Sequence, residues 1–178
     1  GSDATLPLLG CIASDAYIGA QAVGEKTAED IEKILADNNM PGKVHQEKVY
    51  GIGAKIGDTK TTLSFQHNSG TDTSNYVYGE GVAPENVNEI SISYTVAKEY
   101  DIKIGDEITL YVEGEEIECL VTAFHQSMVR MGKANRIHQD FDVSSFSSVA
   151  MLDYQVDFDD ELTKDELNER IEELKVLL

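Results

Sequence analysis

A catalytic or metal site in this chain of 178 residues would have to be assembled from four histidines, two cysteines and 33 aspartates and glutamates. His45, His67, His125 and His138 stand far apart, and no pair has the helical or loop spacing of a zinc site, so each reads as a structural or surface residue. Cys11 and Cys119 are too few for a cystine framework. Cys119 lies in an alternating apolar run and reads as a small buried hydrophobe; the sequence leaves open whether the two cysteines pair. Asp157, Asp159 and Asp160 lack the Gly and terminal Glu of a calcium loop and read as charge complementing the helix that follows. Gly51 and Gly53 in YGIGAKIGD lack the third Gly, the Lys-Ser/Thr pair and the following helix of a phosphate loop, and no G-x-S-x-G elbow occurs. Carboxylate pairs are so abundant that finding one is uninformative. The reading is of a protein that is not an enzyme and needs neither cofactor nor metal.

Binding chemistry is better represented. From Cys119 to Gln139 there is no acidic residue, and Arg130, Lys133 and Arg136 make this the one locally basic segment of a chain with net charge −19. Met128, Val129 and Met131 are interleaved with those cations. Exposed methionine repacks easily and arginine offers several donors, so Met128, Val129, Arg130, Met131, Lys133 and Arg136 are the candidate partner contacts. The competing reading is a surface loop whose methionines fold back onto the core. The overall charge argues against nucleic acid or an anionic membrane surface as partner and would draw a cationic one.

The elements that position this segment are legible from periodicity. Between Asn88 and Gln126, Ile90 and Ile92 alternate with Ser91 and Ser93 as in a strand, and Ser93 is placed to cap a short helix, Tyr94 to Tyr100. Ile102 and Ile104 are expected on one face, Gly105-Asp106 to turn the chain, and Ile108, Leu110 and Val112 to resume the alternation up to a second turn at Glu113-Gly114-Glu115. Ile117 to Phe124 then reads as a strand buried on both sides. Upstream, one strand is expected near Cys11 to Ile18, a helix starts at Thr27 with Ala28, Ile31, Ile34 and Leu35 as its apolar stripe, and Val44–Ile56 and Thr61–His67 form a ribbon around Gly57-Asp58. The run from 67 to 75 is a polar connector. Downstream, Val149–Val156 is a strand, and Thr163 with Glu166 forms the capping box of a last helix carrying Leu167, Ile171, Leu174 and Leu178. The fold class is α+β, mostly antiparallel sheet with three helices.

NEISIS, then VAKEYDIKIGDEITLYVEG, then ECLVTAFHQS, preceded by Gly79-Glu80-Gly81-Val82-Ala83-Pro84, resembles the extracytoplasmic domain of FtsX/MacB-type ABC transporter permeases. The resemblance covers about forty central residues in order and spacing. It implies two small subdomains: an outer, porter-like α/β one from 3–75 and 148–178, and an inserted strand-helix-hairpin one with the basic loop from 76–147. It also implies a module on the outer side of the cell membrane, worked indirectly by an ATPase subunit through a membrane domain, with a permease dimer and a peptide, lipoprotein or wall-associated partner. The expectation is an excised soluble domain, since the start GSDATLPLLG lacks the basic and apolar regions of a signal peptide and no apolar run approaches the roughly twenty residues of a membrane span. The alternative function is a sensor or binding domain for cationic peptides at the cell surface.

Overall fold

The computed structural model describes residues 14–69 and 76–178. In chain order they form β1 (Ala16–Ile18), α1 (Ala20–Val23), α2 (Ala28–Asp37), β2 (Gly42–Ile56), β3 (Thr59–Ser69), β4 (Glu80–Gly81), β5 (Glu89–Ser93), α3 (Tyr94–Tyr100), β6 (Glu107–Val112), β7 (Glu115–His125), β8 (Ala134–Ile137), β9 (Ser148–Phe158) and α4 (Lys164–Leu177). The class is mixed α+β, and most of the ordered backbone is sheet. The described residues group into two compact units, Lys48–His67 with 76–150, and Ser14–Glu47 with 68–69 and Met151–Leu178. Lys48–His67, read above with the outer subdomain, group with 76–150 because Tyr50, Ile52, Ala54, Leu63 and Phe65 belong to that unit's apolar core.

In the unit of Ser14–Glu47 and Met151–Leu178, β1 pairs antiparallel with β9, Ala16 opposite Val156 and Ile18 opposite Tyr154. Its core is Val23, Ile31, Leu35, Met40, Val44, Tyr154, Val156, Phe158 and Leu174. Both longer helices start on a capping box. Thr27 Oγ1 accepts from the Asp30 amide (3.1 Å) while Asp30 returns a carboxylate to the Thr27 amide (2.9 Å), and Thr163 and Glu166 repeat the exchange at 3.2 and 3.1 Å. Each box satisfies two amides that the first helical turn leaves without partners. The stripe of α4 faces the core as its spacing predicts, with Leu174 buried and Leu167 and Ile171 packed against it. α1, a single turn after Gly19, has no periodicity from which it could be read.

The other unit is built around β5. It runs parallel to β7 on one side and antiparallel to β8 on the other, with a register break between Ile90 and Ser91. β5 leads directly into α3, where Ser93 Oγ accepts from the Val96 amide (3.2 Å). β6 comes between this helix and β7 and pairs antiparallel with β7, so β7 reverses direction again and runs parallel to β5; β3 and β8 also pair parallel. β6 and β7 form a hairpin across Glu113-Gly114, both at positive φ (51° and 81°), the two-residue turn whose twist suits antiparallel strands. The expectation for Ile102 and Ile104 fails. Asp101 closes α3 in the left-handed region (φ 54°), and Asp106 Oδ2 accepts from the Lys103 amide at 2.8 Å, so the segment is a turn that buries Ile102 and leaves Ile104 41% exposed.

Candidate functional site

The loop between β7 and β8 is held from below. Ser127 is buried, and its Oγ accepts from the Val129 amide (3.0 Å) and donates to the Val129 carbonyl (3.3 Å). The Lys133 amide bonds the Arg130 carbonyl (3.0 Å), the Ala134 amide bonds the Val129 carbonyl (3.2 Å), and Lys133 Nζ reaches Glu99 on α3 at 3.4 Å. Arg130, Met131 and Gly132 all sit at positive φ (53°, 58° and 80°), a turn that only Gly adopts without cost. What this shape presents is apolar: Met131 is 92% and Met128 64% exposed, with Arg130 exposed beside them and Val129 half-buried. The methionines therefore do not fold back onto the core. Two of the six candidates have other positions. Lys133 braces the loop through Glu99, and Arg136, on β8, is 2% exposed.

Arg136 belongs to a buried polar cluster. Its guanidinium lies 4.1 Å from the Tyr76 ring centre and 5.0 Å from that of Tyr78, and Nη1 donates to the Val77 carbonyl at 3.3 Å. Beside it, His125 Nε2 lies 2.8 Å from the Ala134 carbonyl and so must donate there, which leaves Nδ1 to accept from Ser91 Oγ at 2.6 Å. A serine hydroxyl on an imidazole has the chemistry of an activated nucleophile. Here both residues are fully buried and the second ring nitrogen is tied to backbone, so the pair acts as a core hydrogen bond. Burial, and after it the Arg136 charge, pushes the His125 pKa down to about 3, so the ring is neutral at physiological pH. His67 is likewise held low by burial, with Nε2 2.8 Å from the Gln139 carbonyl. Sequence reasoning did not find this cluster, because nothing in the spacing of Tyr76, Ser91, His125 and Arg136 links them.

The remaining chemistry-bearing residues have structural partners. Burial raises the Cys119 thiol to about 11, with the Glu118 charge adding to it, which disfavours the nucleophilic thiolate. Cys11 lies outside the described residues. Asp157 accepts from the Asp15 amide (3.2 Å) and meets His45 Nε2 (3.0 Å), and Asp160 pairs with Arg170 on α4 (2.7 Å). Among the described residues no cluster of His, Cys, Asp and Glu could hold a metal, and no helix is long and apolar enough to cross a membrane.

This arrangement of strands and helices is similar to that of solved periplasmic and extracellular domains of transporter and permease proteins. It is similar to the periplasmic region of MacB from Actinobacillus actinomycetemcomitans (TM-score 0.52, 9% identity, 85% of this chain and 75% of that one). It is also similar to the extracellular domain of the ABC-type transporter YknZ from Gram-positive bacteria (TM-score 0.52, 13% identity, 86% and 84%). A third similar structure is a domain assigned to a permease of Porphyromonas gingivalis (TM-score 0.50, 12% identity, 82% and 75%). No family model matches the sequence, and no curated protein is similar to it in sequence.

Proposed function

We propose that the chain is the extracytoplasmic module of an ABC transporter permease, coupling ATP-driven motion of a membrane domain to a substrate or protein partner outside the cell membrane. The observation that carries this reading is the fold, shared with MacB and YknZ domains over 85% and 86% of the chain. In it the ATPase subunit acts indirectly, through the membrane domain, and the permease works as a dimer. The inserted region 76–147, which shares its core with Lys48–His67, is the part that meets a peptide, lipoprotein or wall-associated partner, and the rest of 3–75 with 148–178 is the outer support. Met128, Val129, Arg130 and Met131 form the contact, with Lys133 as its brace. The test is the coding sequence around this stretch and the neighbouring reading frames. Apolar segments of about twenty residues on both flanks and an ATPase encoded alongside are the expected result. A secretory signal before Asp3 with a stop just after Leu178 would overturn it.

A second reading, a sensor for cationic peptides, is favoured by the β6–β7 hairpin, where Glu107, Glu113, Glu115, Glu116 and Glu118 are all exposed. It expects an oligolysine peptide to bind at low ionic strength and to be released as salt rises. Absence of binding at low salt removes it.

A further inference from the structure

Arg136 carries a charge that the interior does not answer. Its one hydrogen bond goes to a neutral acceptor, the Val77 carbonyl, and its Nε and Nη2 are buried with no acceptor. No ion pair among the described residues includes it. Burying an ion without a partner is costly, and a guanidinium cannot escape by losing its proton. Among the described residues no carboxylate pairs with it. His125 is neutral, and the residues facing Arg136 across the sheet are Ser91 on β5 and Gln66 on β3. The geometry of what is left over is specific. Nη1 is used, and Nε with Nη2 forms the side-on edge of the guanidinium, two parallel N–H donors at the spacing of the two oxygens of a carboxylate.

We propose that Arg136 anchors a carboxylate-binding site, its Nε/Nη2 edge taking both oxygens of a carboxylate end group beside the rings of Tyr76 and Tyr78. A planar monoanion matches one planar cation lying against flat rings, whereas a phosphate dianion would bury excess negative charge. The way in is past 76–78, a stretch without regular secondary structure in which Val77 is exposed and the two tyrosines are half-buried. Only one bond of 3.3 Å ties its backbone to the guanidinium. The carboxylate could arrive on a free small acid or as the C-terminus of a peptide. Nothing in this inference depends on the transport reading.

The chain has three arginines, Arg130, Arg136 and Arg170, so the Nε–H region of an NMR spectrum of the 15N-labelled protein holds three signals to assign. Sodium acetate is titrated against chloride at constant ionic strength. The expected result is a saturable shift of the Arg136 Nε–H signal with only a small common drift of the other two. Arg136→Lys, which keeps the charge and loses the fork, weakens acetate binding at least tenfold as read on the backbone amide signals of Tyr76, Val77 and Tyr78, and Tyr76→Phe retains it. A short peptide ending in a free carboxylate that binds more tightly than acetate, while its C-terminal amide does not bind, assigns the source as a peptide end; acetate alone binding assigns a small acid. An Arg136 signal indifferent to acetate in the folded wild-type protein overturns the site, as does a shift shared equally by all three arginines. Inorganic phosphate matching acetate overturns the choice of a planar carboxylate.

Discussion

Arg130 and Arg136 stand six residues apart in one basic segment, and the fold gives them opposite surroundings. Arg130 rides on a left-handed turn at the surface beside two exposed methionines, while Arg136 is enclosed by aromatic rings next to a neutral histidine. The difference comes from the strand between them. Ala134–Ile137 slots between β3 and β5, so every one of its residues is covered whatever its polarity, while Met128, Arg130 and Met131 at the tip of the loop before it stay exposed. Local charge in a sequence thus marks where a cation is, but the sheet decides whether solvent or the core receives it.

The comparison predicts large responses around the buried cluster and small ones on the loop. The largest is with pH. The folded His125 pKa, about 3, lies below its unfolded value near 6.5, so the unfolded chain binds the proton first. Its contribution is fully present above pH 6.5 and declines as pH falls toward 3, by on the order of 1 kcal/mol per pH unit. Chemical denaturation at pH 7, 6 and 5 should show this slope, and His125→Gln should flatten it while lowering stability at pH 7. An unchanged slope in that variant would mean that the ring is not the group responsible. Next comes Gly81, at φ 79°, where a Cβ would run into the Thr122 carbonyl on β7. Gly81→Ala should destabilise by about 2 kcal/mol or more, and a cost under half of that would show that the β4 edge yields. The caps are smaller still: Thr27→Ala and Thr163→Ala should each lose about 1 kcal/mol in equilibrium unfolding, and the two should add because each helix start is self-contained. At the bottom, Met128→Ser with Met131→Ser should stay within about 0.5 kcal/mol of the parent. In an intact transporter the same pair should reduce activity, and full activity there would remove the loop from the contact.

Much of the scaffold was legible because its signals are local. Thr27, Ser93 and Thr163 cap their helices as their spacing predicts, and the Glu113-Gly114 turn sets the β6–β7 register. What escaped is non-local. Ala-Asn-Arg-Ile has no alternation and reads as loop, because β8 is specified by the two strands it enters between. Ile104 followed the alternation on paper, but a left-handed residue at Asp101 ended the periodicity before it. Of the contact candidates, the exposed Met128, Arg130 and Met131 agree with a surface read from composition, whereas the burial of Arg136 depends on Tyr76 and Tyr78, some sixty residues away in the chain.

The two outward thioethers also bear on how such a surface would fare in an oxidising medium. Met131 and Met128 meet any dissolved oxidant directly, while Met40 is shielded within its own unit's core. Oxygen added to sulfur turns a soft apolar side chain into a polar, chiral sulfoxide. Since the turn beneath is held by Ser127, Val129 and Lys133 rather than by the methionines, peroxide would change the chemistry of the tip and leave its shape intact.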